Sequence, residues 1–211
     1  MKEQDSRRGR FIVLEGIDGS GKTTQARLLA ERLRQEGRRV VLTAEPTGFP
    51  TGVALRRALS GKDKKSECEM AVLFVEDRIA HNNHPTEGIR VLLEQGVDVI
   101  CDRYYYSTLA YQGHTTDYGW VKHMNLCCPD IIHPDLCVYL DLLPAQSLER
   151  IRLGRDSVEI YENEETLCRV RETFLRVVED LSSEDRVAVI NAYRSPEEIA
   201  QELFERVKSL S

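Results

Sequence analysis

Residues 16 to 23 read Gly16-Ile17-Asp18-Gly19-Ser20-Gly21-Lys22-Thr23, which satisfies G-x-x-x-x-G-K-[ST] at every fixed position. An apolar β-branched run, Phe11–Glu15, precedes it, and a segment of helical period follows it. A strand, a glycine-rich turn and a helix in that order commit the chain to a phosphate cradle. The glycines let backbone N–H groups approach phosphate oxygens, and the helix N-terminus adds partial positive charge. Lys22 can bridge β- and γ-phosphates, and the Thr23 hydroxyl can hold Mg2+. The pattern points to a nucleoside triphosphate and leaves motor, switch, transporter and kinase open.

The rest of the chain is an α/β pattern. Short apolar runs at Val40–Thr43, Val97–Cys101, Leu136–Asp141 and Val187–Asn191 alternate with helical segments, as in a parallel sheet with crossover helices. The first helix carries the stripe Ala26, Leu29, Ala30 and Leu33 and ends before Gly37. Further helices are expected at Val53–Leu59, Glu67–His81, Thr86–Gln95, Tyr105–Gln112, Trp120–Leu126, Pro144–Leu153, Glu165–Leu181 and Pro196–Leu210. With 211 residues, 41% hydrophobic and 30% charged, residues 1–211 read as one soluble domain. The net charge of −6 removes the broad basic footprint of a nucleic-acid binder. No apolar run nears the ~20 residues of a membrane span. The six cysteines lack zinc spacing and read as reduced cytosolic thiols, so the expected location is cytoplasmic.

The third strand ends in Asp102-Arg103-Tyr104, at the edge where open parallel sheets bind ligands. An acid there can orient Mg2+, and an adjacent arginine can neutralise a transferring phosphoryl group. Asp141 ends the fourth strand and is a second candidate for the metal side, ranked lower because Leu142-Leu143-Pro144 suits a structural helix entry.

These residues join others in a longer pattern. Phe11 to Thr24, Glu45-Pro46, Leu73-Phe74-x-x-x-Arg78, Asp102-Arg103-Tyr104-x-x-Ser107-x-x-Ala110-Tyr111-Gln112-Gly113 and Pro134-Asp135-Leu136 together resemble the thymidylate kinases, a family of P-loop nucleoside monophosphate kinases. The resemblance implies a three-layer α/β/α P-loop NTPase fold with a five-stranded parallel sheet and a short lid. It also implies transfer of the γ-phosphoryl of ATP to dTMP with Mg2+.

The family pattern places Gly16, Asp18, Gly19, Ser20, Gly21, Lys22, Thr23 and Thr24 on ATP, with Thr23 and Asp102 at the metal and Lys22, Asp102 and Arg103 in catalysis. Asp18 would also face the acceptor's 3′-hydroxyl, although a bare loop aspartate is more often a turn-former. Glu45 and Pro46 would border the acceptor. Phe74 and Arg78, four residues apart on one helix face, would stack the pyrimidine and meet its carbonyl edge; the bland reading of Phe74 is core. Thr108 and Gln112 would lie near the base, Ser107 would support the substrate site, and Tyr111 would occupy the space of a 2′-hydroxyl. Residues 150–163 resemble the lid, with Arg150 on adenine, Arg155 as the arginine finger and Tyr161 toward the substrate. Arg194, after the fifth strand, would line the adenine pocket. The family's usual state is a homodimer.

One departure stands out. Many family members carry an arginine just before the Glu-Pro pair or shortly after it that helps to clamp the acceptor phosphate, whereas this chain has Ala44, Thr47 and Gly48. The clamp would then fall to Arg78, Arg103 or Arg56. Two rivals stay open: a related kinase for another nucleotide or a deoxynucleoside, and a P-loop regulatory ATPase.

Overall fold

A computed structural model describes residues 8–154 and 164–210. Five strands, β1 (Phe11–Glu15), β2 (Val40–Ala44), β3 (Asp98–Asp102), β4 (Leu136–Asp141) and β5 (Val187–Asn191), form one parallel sheet in the order β2-β3-β1-β4-β5. The helices are α1 (Lys22–Gln35), α2 (Pro50–Leu59), α3 (Glu67–Asn83), α4 (Ile89–Glu94), α5 (Tyr105–Thr115), α6 (Tyr118–Leu126), α7 (Pro144–Gly154), α8 (Glu164–Leu181) and α9 (Pro196–Lys208).

Strand periodicity builds the layers. Phe11 and Val13 pack with Tyr104, Tyr105, Tyr106, Tyr139 and Phe174 on the face covered by α5 and α8. Ile12 and Leu14 pack with Ala26, Leu29, Val138, Ile190 and Leu203 on the face covered by α1 and α9. β1 is the central strand and is buried throughout, as its unbroken apolar run requires.

Several boundaries shift for local reasons. β3 runs one residue further than expected, so Asp102 is its last residue and pairs with Ala44. α2 starts at Pro50, whose fixed φ suits a first helical position. α4 begins three residues later than Thr86. His84 is extended before Pro85, and the Gly88 amide closes a turn onto the His84 carbonyl at 3.0 Å.

Candidate active site

Three connections leave the carboxyl edge of the sheet side by side: β1 into the phosphate loop, β2 into Glu45-Pro46, and β3 into Asp102-Arg103. They border a cleft of about 440 Å3, lined by Asp18, Gly19, Gly21–Thr24, Ala44, Glu45, Asp102, Arg103 and Arg150.

The loop needs its glycines. A Cβ on Gly16 would lie 2.6 Å from Ser20 Oγ and 2.7 Å from the Leu140 carbonyl, and Gly16 has a φ of +146°. A Cβ on Gly19 would meet the Ser147 carbonyl at 2.9 Å. That close approach packs α7 on the loop: the Ser147 hydroxyl donates to the Asp18 carbonyl at 2.5 Å. Arg150, one turn further along α7, donates to the Ala192 carbonyl at 2.8 Å and the Gly19 carbonyl at 3.4 Å. It thus spans the loop and the chain leaving β5.

Lys22 is buried, and its ammonium donates to the carbonyls of Gly16 at 2.9 Å and Ile17 at 3.0 Å. Burial, with the nearby Arg103 cation, pulls its pKa down to about 8. The Thr23 hydroxyl donates to Asp102 Oδ2 at 2.6 Å. A hydroxyl and a carboxylate converging at a phosphate loop are hard oxygen donors, the set that Mg2+ prefers. Asp141 is otherwise engaged: Arg171 on α8 grips both of its oxygens at 2.7 and 2.8 Å. The structure therefore separates the two acids, with Asp102 in the cleft and Asp141 in an ion pair.

Arg103 has a φ of +71°, unusual for a side chain with a Cβ, and strained. Its guanidinium forms an ion pair with Asp18 across the cleft. Burial opposes its charge, yet Asp18, Tyr111 and Asp102 hold its pKa above the ordinary arginine value.

Behind Glu45 lies a buried polar network. Arg78, 1% exposed, donates to Glu45 Oε2 at 2.6 Å, Asn125 Oδ1 at 2.5 Å and Thr108 Oγ1 at 3.2 Å. His81 Nδ1 meets Glu45 Oε1 at 3.0 Å, and its Nε2 meets Thr43 Oγ1 at 2.8 Å. Arg78 Nε and the Gln112 side-chain oxygen are buried with no hydrogen-bond partner among the described residues, two polar groups that a polar ligand could satisfy. Phe74 is half-buried on the same helix, one turn before Arg78. Tyr111 sets its ring edge-on to Phe174 at 6.1 Å, and burial lifts its phenol to about 12.

Several expected residues hold contacts within the protein. The Ser107 hydroxyl is given to Glu15 at 2.6 Å. Arg56 bridges the carbonyls of Pro46, at 2.9 Å, and Thr47, so it braces the turn after Glu45-Pro46. Arg194 pairs with Glu202 on α9 at 2.5 Å. Arg155 and Tyr161 lie outside the described residues. Glu15, Asn125, His81 and Ser147 escaped sequence reasoning; only Glu15 left a signal, as a charged residue closing an apolar strand.

A central parallel strand feeding this loop, with Thr23 on Asp102 and an arginine at the next strand end, defines a P-loop phosphotransferase. Residues 14–203 match the family described as Thymidylate kinase. A "Probable thymidylate kinase" of Pyrococcus horikoshii is 40% identical over 208 residues, covering 95% of this chain and 97% of that protein. A "Thymidylate kinase" of Halothermothrix orenii is 36% identical, with 95% and 97% covered. One from Methanococcus aeolicus, also "Probable thymidylate kinase", is 36% identical over 202 residues, with 94% and 95% covered. The chain belongs to the thymidylate kinase family.

Proposed function

We propose that this enzyme transfers the γ-phosphoryl group of ATP to the 5′-phosphate of dTMP, giving dTDP and ADP. The carrying observation is the Asp18–Arg103 ion pair beside the Thr23–Asp102 contact. It sets a loop that binds a donor's phosphates against a strand end that borders the buried Glu45–Arg78 pair. An oxygen of the acceptor phosphate attacks the γ-phosphorus as the bond to the β,γ-bridging oxygen breaks. The nucleophile is already anionic, so the site works by positioning and charge neutralisation rather than by a strong base.

Phosphate-loop amides and Lys22 hold the donor phosphates, and Arg103 faces the group in flight. Thr23 and Asp102 would hold Mg2+, which, when bound, supplies further neutralisation of phosphate charge. Arg78, Thr108 and Gln112 favour a pyrimidine with carbonyl and N–H edges, Phe74 stacks beneath it, and Tyr111 disfavours ribose. Arg150 stands where it can cover the adenine. With Arg56 engaged by the Pro46 and Thr47 carbonyls, the role of the absent clamp falls to Arg103, which lines the cleft. The homodimer and the cytoplasmic location expected of the family belong to this reading; among the described residues no helix is long and apolar enough to cross a membrane.

ADP release from Mg-ATP with dTMP, dUMP, dCMP, UMP, AMP, thymidine or no acceptor tests the proposal. Turnover should require dTMP, fall with dUMP, and be at background with UMP, thymidine or no acceptor. Equal release without acceptor would instead identify an ATPase.

A further inference from the structure

Alternation along β1 directs Glu15 to the same face as Phe11 and Val13, the face covered by α5. Its carboxylate is fully buried there. Oε1 accepts the backbone N–H of Tyr104 at 2.7 Å and of Ser107 at 3.1 Å, and Oε2 accepts the Ser107 hydroxyl at 2.6 Å. The first amides of a helix have no partner within it, and the N-cap residue of α5, Tyr104, contributes no side-chain cap. Glu15 fills that role from the neighbouring strand. The capped segment begins one residue after Arg103, whose left-handed backbone needs support from its surroundings to persist.

We propose that Glu15 is a positioning residue: its buried carboxylate caps α5 from β1 and so holds the Asp102-Arg103-Tyr104 turn in the shape that presents Arg103 to Asp18 and the cleft. No ligand need touch Glu15 for this. The kinetic part rests on the phosphoryl-transfer reading; the structural part does not.

The chemistry around the carboxylate makes the idea measurable. Burial lifts its pKa to about 7, against the opposing pull of Ser107, Arg103 and the two amides. The charged or titratable groups facing it are Lys22 on α1, Cys101 and Arg103 at β3, Tyr111 on α5, and Cys137 and Tyr139 on β4. Of these, Lys22 and Arg103 carry charge at neutral pH, so the carboxylate balances two cations. As pH falls through about 7 it gains a proton, its grip on the α5 amides weakens, and Arg103 loses its fixed aim.

The test compares wild type, Glu15→Gln and Ser107→Ala. Glu15→Gln should lower kcat/KM by about 100-fold at pH 8, the effect of a small misplacement of a catalytic group. It should also remove the enzyme's own acid limb. Ser107→Ala, which deletes a hydrogen bond favouring the ionised form, should move that limb to higher pH. The acceptor's phosphate titrates near 6 in all three proteins, so the quantity read is the difference between them. Amide exchange of Tyr104 and Ser107 should quicken at least tenfold in Glu15→Gln, whatever the enzyme turns over. Wild-type pH profiles in both variants, with unchanged exchange at these amides, would overturn the proposal. Should Glu15→Gln fail to fold, the direction of the limb in Ser107→Ala decides.

Discussion

Lys22 holds its charge at a cost, because a buried ammonium facing Arg103 is supported mainly by two loop carbonyls and nearby acids. A polyphosphate arriving at the loop supplies the missing negative charge and raises the lysine pKa from about 8 toward its ordinary value. Nucleotide binding at pH 8.5 should therefore take up protons that it does not take up at pH 6.5. Calorimetry in buffers of different ionisation enthalpy should show this excess in wild type and lose it in Lys22→Arg, whose guanidinium stays charged throughout. An identical proton balance in the two proteins would mean that Lys22 is already charged when the nucleotide arrives. At this scale the sequence was informative where a motif constrains both residue type and spacing, as in Gly16 to Thr23. It was silent on partners brought in by long-range packing. Asn125 reaches Arg78 from 47 positions away and Glu15 reaches Ser107 from 92, and no local pattern encodes such meetings.

Between β2 and α3 the decisive contact is the Glu45–Arg78 pair, 3% and 1% exposed at the side chains. Removing one member of a buried pair strands the other charge in a medium that cannot solvate it. Glu45→Ala should cost about 3–5 kcal/mol of stability in urea unfolding. In the protein that remains folded it should raise the KM for the acceptor far more than that for ATP. A loss confined to ATP affinity would place Glu45 on the wrong side of the cleft. Elements themselves were easily read, because the apolar runs and the stripe on α1 are set by periods of 2 and 3.6 that burial enforces. Their ends were harder. The start of α4 depends on backbone closure at Gly88 after Pro85, and the start of α2 on the fit of Pro50 at the first helical position.

Across the whole molecule, Asp185 ties the approaches to β4 and β5 to the start of α5. Tyr105 and Tyr106 donate to its Oδ2 at 2.5 and 2.7 Å, and His133 Nδ1 meets Oδ1 at 2.7 Å. That bond raises the His133 pKa, and the same bond with those of the tyrosines lowers that of Asp185 against the effect of burial. The His133 contribution to stability is thus complete below the ordinary histidine value and is lost as pH rises through the raised one. The Asp185 contribution is present above the ordinary aspartate value and disappears as pH falls through the lowered one. His133→Gln should accordingly depress Tm more at pH 5.5 than at pH 8.5. A penalty that grows with pH would contradict the pairing.

The strand order β2-β3-β1-β4-β5 has a consequence for how such an enzyme can diverge. Glu45, Arg78, Asp102 and Arg103 stand on one flank of β1, whereas Arg150 and the chain after β5 stand on the other. The loop from the central strand joins the two, tied to the first flank by the Asp18–Arg103 and Thr23–Asp102 contacts. On the proposed reading, replacements around β2, α2 and α3 would retune what receives the phosphoryl group while the half that grips its source stays as it is. Ala44, Thr47 and Gly48, which stand where the resemblance leads one to expect an arginine, lie on the first of these flanks, with Arg56 bracing the turn nearby.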